Sequence, residues 1–236
     1  LAVTGVGGGG NADLSTQAED GVLTVNDQLW LNGQLDNQTA TVNSSDVQTL
    51  ALADGVTVRR TEGSAEIGGA LTNVPSFGSS LNLTYNTVSS DADFTSGREV
   101  PSASSDAAIE TVTVNPGDTG SLTLSRVDTE TATGNVVVTE VFDLMSGTVT
   151  QGTTADASRR LELATGSDDS VVFAQRNGSL EDTDQPIATS DGYTLRYYPD
   201  GGDVTTTAQE FRQNVGALEF IDGPVESSSA ADLDLH

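Results

Sequence analysis

The sequence has no cysteine and no lysine, a single histidine at its last position and one tryptophan among 236 residues. Each absence removes a kind of chemistry. Without cysteine there is no disulfide framework, no thiolate nucleophile and no zinc site built on sulfur. With His236 as the only imidazole, a Ser-His-Asp triad would need the final residue as its base, which argues against hydrolases of that type. Binding nucleic acid takes clustered Lys and Arg, and here only Arg59-Arg60 and Arg159-Arg160 are adjacent, so no nucleic-acid partner is expected. No apolar run approaches the roughly 18 residues that cross a bilayer, and the first residues lack the basic and apolar regions of a signal peptide. The expectation is a chain that is soluble as given, or one already processed.

What is present is acid. Thirty-five Asp and Glu face nine basic residues, all of them arginine, for a formal charge of −26 on 24.3 kDa. Such a chain repels itself in dilute buffer and far less in molar salt, where the Debye length falls to about 3 Å. The composition therefore points to a protein of a salt-loving organism. A disordered acidic chain would lack the alternating Val and Leu segments found here.

Those segments have a period of two. Ile109 to Arg126 shows it best: Val112 and Val114 alternate with threonines, Leu122 and Leu124 alternate with Ser and Thr, and Asn115-Pro116-Gly117-Asp118-Thr119-Gly120 lies between. The pattern predicts a β-hairpin with Val112, Val114, Leu122 and Leu124 in a core and the 115–120 tip exposed. Thr49 to Arg59 repeats the form around Asp54-Gly55, a strong turn signal. Twelve to fourteen short strands spaced 8 to 15 residues apart predict an all-β, jelly-roll-like antiparallel sandwich or barrel. No internal repeat of fixed period is visible. Residues 1–20 read as a flexible glycine-rich arm, 21–221 as the β domain, 61–107 as an inserted or distal subdomain (a tower), and 222–236 as an acidic tail. At most one short helix is expected, Thr206 to Val215, with Val215 to Ile221 as a final strand in its place.

Candidate sites are sparse. The expected inter-subunit contacts are the glycines of the arm (Gly7, Gly8, Gly9, Gly10), the arginine pairs Arg59, Arg60, Arg159 and Arg160, which form bidentate pairs with carboxylates, and the tyrosines Tyr197 and Tyr198. Asp200 to Asp203 and Glu181 to Asp184 set carboxylates near turns without the spacing of an EF-hand, so no metal and no cofactor is expected. A carboxylate pair for glycoside hydrolysis is open to any of the 35 acids, but sugar clefts usually offer several aromatic platforms. A catalytic role is not expected.

A lysine-free acidic composition, jelly-roll-like strand spacing and arms at both ends together resemble the vertical single β-barrel major capsid proteins of icosahedral, internal-membrane viruses of haloarchaea. The resemblance covers residues 21–221 at the level of composition and architecture, with no diagnostic motif. It implies capsomers built by self-association and with a second capsid protein, contact with an internal lipid membrane, and a place in the virion. The competing expectation is a haloarchaeal cell-surface module, an S-layer, pilus or adhesin domain of Ig-like form. A carboxylate-dependent glycoside hydrolase is the third.

Overall fold

The computed structural model describes residues 2–4, 12–13, 22–32, 35–36, 49–61, 71, 74–87, 91–101, 106–124, 135–151, 161–164, 171–181, 192–198 and 215–220. Among them every regular element is a strand. In chain order these are β1 (Ala2–Thr4), β2 (Ala12–Asp13), β3 (Val22–Val25), β4 (Gln28–Asn32), β5 (Leu35–Asp36) and β6 (Thr49–Leu52). Then come β7 (Val56–Arg60), β8 (Ser76–Phe77), β9 (Ser80–Asn86), β10 (Asp93–Thr95), β11 (Ala108–Asn115) and β12 (Ser121–Leu124). The last are β13 (Val136–Gln151), β14 (Leu161–Leu163), β15 (Val172–Glu181), β16 (Tyr193–Tyr197) and β17 (Val215–Phe220).

Every one of these pairings is parallel. The main path runs β1-β4-β7-β9-β11-β13-β15-β16-β17, and a second face is built from β3-β6-β8 and from β10-β12 continuing into the far half of β13. The chain therefore winds as a parallel β-solenoid, each coil laid on the one before. This corrects the antiparallel jelly-roll sandwich or barrel. The period-two alternation is real, but it reports only that each strand has a dry and a wet side; it does not say whether the next strand reverses or comes round again. The apolar layer that covers each strand is supplied by the other faces of the same coil.

The two segments that read as hairpins are corners. β11 pairs with β9 and β13, while β12 pairs with β10 and β13, so the arms on either side of residues 115–120 never pair with each other. Likewise β6 pairs with β3 and β8, and β7 with β4 and β9, so Asp54-Gly55 carries the chain from one face to the next. Val112, Val114, Leu122 and Leu124 are buried as expected. Of the tip, Asp118 and Thr119 are exposed, but Pro116 and Gly120 are buried. Their cover is the next coil of the same chain: a Cβ on Gly147, which has φ of 72°, would come within 2.4 Å of Pro116 Cγ.

The core is a set of vertical rows. One runs through Leu29, Val58, Leu83, Val112, Phe142, Phe173 and Leu195, all buried, with Leu218 next in register. Phe142 and Phe173 stack with ring centroids 5.3 Å apart, a geometry that contributes about 0.5–1.5 kcal/mol beyond area burial. On the second face Phe94, Leu122, Val149 and Leu180 form a similar row. Fully burying each such side chain stabilises the fold by about 1.5–3 kcal/mol.

Corners are tied by polar side chains. Asn115 Nδ2 donates to Asn86 Oδ1 at 2.9 Å, Ser146 Oγ donates to Asn115 Oδ1 at 2.6 Å, and the Gly117 amide donates to Ser146 Oγ at 3.2 Å. Asp54 accepts from both the amide and the hydroxyl of Ser79, and Asp91 accepts from both groups of Thr119, one coil further on in each case.

The helix expected over 206–215 falls outside the described residues except for Val215, which opens β17; the alternative of a final strand there agrees with β17. Within 61–107, β8, β9 and β10 all pair with strands before or after them in the ladder.

Candidate functional site

The alternation that builds the core also decides what faces out. In Val25-Asn26-Asp27-Gln28-Leu29-Trp30-Leu31, Val25, Leu29 and Leu31 turn inward, so Gln28 and Trp30 stand on the outer face of β4 while Asn26 and Asp27 form the exposed corner after β3. The chain's single tryptophan is 41 % exposed. Its ring is fixed at two points. The indole N–H donates to Gln28 Oε1 at 2.7 Å, and the Arg59 guanidinium, opposite Trp30 in the β4–β7 register, lies 4.8 Å from the ring centroid. In the other direction Trp30 is in register with Ala2 of β1. Beside the ring, Leu23, Thr24, Asn26, Asp27 and Gln28 line an open cleft of about 530 Å³.

Arg60, the other half of the pair, points inward. It is 1 % exposed and occupies a row that runs through Leu31, Arg60, Tyr85, Val114 and Leu144. Its Nη1 lies 3.0 Å from Glu99 Oε1 and also donates to the Thr95 carbonyl, and Tyr85 O–H donates to the same Glu99 oxygen at 3.1 Å. Tyr85 and Phe94 present their rings to the guanidinium at 5.7 and 5.8 Å. Burial pushes the Tyr85 phenol well above its usual range near 10.0, and the negative charge of Glu99 adds to it. The cluster is sealed: it polarises groups inside the core and offers no access to a ligand.

At the other end of the ladder Arg176 Nε contacts Asp143 Oδ1 at 2.9 Å, and its guanidinium stacks 3.8 Å from the Tyr198 ring centroid. The hydrogen bond to Asp143 raises Arg176 above the ordinary arginine value. Arg196 Nε contacts Glu219 Oε2 at 2.7 Å and is raised for the same reason. Tyr198 also donates its amide to the Gln175 carbonyl at 3.1 Å. Tyr197 lies in β16 in register with Gln175 and Phe220.

The sequence-based candidates thus separate. Arg59 joins Trp30 on the outside, Arg60 goes to the core, and Tyr198 belongs to an outer network of arginines and acids. Gly7 to Gly10, Arg159 and Arg160 lie outside the described residues, as do Asp200 to Asp203 and the rest of Glu181 to Asp184 beyond Glu181, which ends β15. Among the described residues no group of three or more His, Cys, Asp or Glu is placed to hold a metal ion. The Trp30 platform was missed because a single Trp counted against a binding cleft, which was expected to carry several aromatic platforms; the signal was its parity, since Leu29 and Leu31 claim the inside. No family model, curated protein or solved structure matches the chain.

Proposed function

We propose that the protein is a structural module of a halophile's cell surface, a solenoid whose acidic and hydroxyl-rich outer faces work in concentrated salt. The observation that supports this reading is the parallel ladder from β1 to β17, nine strands on one path, each bonded to the strands before and after it on that path. At about 4.8 Å per strand this is a stack roughly 38 Å long, built by repetition instead of closure around a single pocket. Outward positions carry hydroxyls, carboxylates and arginines, as in Thr84, Thr113, Asp143, Arg196 and Glu219 along one outer row that only Ala174 interrupts. The capsid reading drew on an upright jelly-roll barrel, and with that architecture corrected the surface-module reading has the better support, its Ig-like sandwich replaced by a solenoid.

Immunogold electron microscopy of the source cells tests the proposal. Label on the outer envelope is the expected result, and label confined to the cytoplasm overturns it. Hydrolysis of polysaccharide by the purified protein in molar salt would favour the glycosidase reading instead.

A further inference from the structure

The geometry points to a second property: the Trp30 face binds neutral carbohydrate, one pyranose ring lying on the indole and its hydroxyls meeting the polar side chains of the β3–β4 corner. Three features of the site lead there. First, the ring is presented, not merely uncovered. Its N–H is taken by Gln28 and Arg59 backs it from the β7 side, so the plane is fixed, and 41 % of the residue is open to solvent. A platform held in advance spends little conformational entropy when a ligand arrives.

Second, the cleft beside the ring is mixed in chemistry. Leu23 and Trp30 give apolar surface, while Thr24, Asn26, Asp27 and Gln28 give hydroxyl, amide and carboxylate groups. A pyranose has the same division: a face of C–H groups and a rim of hydroxyls. Its weakly positive C–H face suits the negative π face of an indole, and its hydroxyls both donate to carboxylates and amide oxygens and accept from amide N–H groups. The volume of about 530 Å³ falls within the range of small-molecule sites.

Third, charge selects the ligand class. An anionic glycan would meet Asp27 and a chain of net charge −26. A quaternary ammonium is attracted to indole faces in general, but here the ring already has the Arg59 guanidinium 4.8 Å from its centroid, which repels a second cation. In molar salt ion pairing is screened within about 3 Å, whereas stacking and short hydrogen bonds persist, so an uncharged ligand suits the medium that the composition implies. The salt argument shares its premise with the proposed surface role; the contacts themselves do not.

Because Trp30 is the only tryptophan, its emission reports on the site directly. The full chain in about 3 M KCl, where charge repulsion is screened, is titrated with cellohexaose, mannohexaose, chitohexaose and, separately, choline chloride. A saturable shift in emission with at least one of the neutral sugars and none with choline supports the inference. Calorimetry with the responding sugar then compares variants. Trp30→Leu is expected to weaken binding about tenfold or more, and Asn26→Ala, on the exposed corner, supplies the same test through a hydrogen-bonding residue should the strand not tolerate leucine. No shift with any of the three sugars, a shift with choline alone, or full affinity in both variants overturns the assignment. None of these results bears on where the protein resides, so the surface proposal is tested apart from it.

Discussion

At the scale of single residues the least ordinary feature is a charge pair in an apolar row. Arg60 and Glu99 are both buried, and among the described residues Arg60 Nε and Glu99 Oε2 have no hydrogen-bond partner. Bringing two such groups out of water costs several kcal/mol per ion before their attraction offsets it, so the pair is weak evidence for stability, yet breaking it strands a charge. Glu99→Gln is expected to destabilise by about 3–5 kcal/mol in urea unfolding, while the double change Arg60→Met with Glu99→Leu costs much less than the two single changes added together. Tyr85 gives a pH signature. Its folded value is raised, so the native state keeps a proton that the unfolded chain gives up; the stability is fully present below the ordinary range near 10.0 and is lost as pH rises above it. Tyr85→Phe should remove part of that alkaline decline, measured as a smaller difference in urea midpoint between pH 9 and pH 11 than in the parent, and it should cost about 1–3 kcal/mol at neutral pH by taking a donor from Glu99. The inward turn of Arg60 was legible. In Val56-Thr57-Val58-Arg59-Arg60 the parity that buries Val56 and Val58 also buries Arg60. The rule that charges stay outside outweighed it, because the partner that makes burial tolerable lies 39 residues away and sequence alone does not bring Glu99 there.

At the scale of elements, the corners decide whether coils can stack. Gly55 and Gly147 both have positive φ, 70° and 72°, but their surroundings differ. Nothing lies within 4 Å of a Cβ built on Gly55, whereas one on Gly147 meets Pro116 Cγ at 2.4 Å, Gly120 O at 2.6 Å and Gly117 O at 2.7 Å. Gly55→Ala is therefore expected to cost only the left-handed backbone term, about 1–2 kcal/mol. Gly147→Ala adds steric displacement of the corner in the coil below, about 1–3 kcal/mol more. Thermal unfolding of the two variants side by side checks the order, and equal losses would contradict the close stacking of 115–120 on 145–147. Turn chemistry was read correctly as turn chemistry: Asp54-Gly55 and Asn115 to Gly120 do change the direction of the chain. What the residues at a turn do not encode is the strand that the outgoing arm will pair with. That partner is set by the rows Asn86–Asn115 and Asp91–Thr119, whose members are 29 and 28 residues apart.

At the scale of the molecule, the same distance explains why the solenoid escaped a search for repeats. Along one row the step from residue to residue runs from 22, Phe173 to Leu195, up to 31, Phe142 to Phe173. Insertions at corners absorb the difference without disturbing the ladder, so the structure repeats where the sequence has no fixed period. Strand content, core residues and the acidic surface could be read in advance, since each depends on local alternation or on composition; parallel winding could not, since it depends on which coil lies beneath. The winding also shapes the response to salt. In a solenoid each coil contacts only its neighbours, so stability is approximately a sum of terms within coils and between adjacent coils. The net charge of −26 acts along that entire stack. When KCl falls below about 1 M the Debye length grows from about 3 Å toward 10 Å, beyond the roughly 4.8 Å between coils, and carboxylates on successive coils begin to repel. The β-sheet circular dichroism is therefore expected to decline as KCl is lowered through this range and to recover when salt is restored. The decline should be broad, and Trp30 emission, reporting from β4 near one end of the main path, should change at a different salt concentration from the dichroism of the whole. A single sharp transition shared by both probes would contradict coil-by-coil loss, and spectra unchanged in dilute buffer would remove the argument for adaptation to brine.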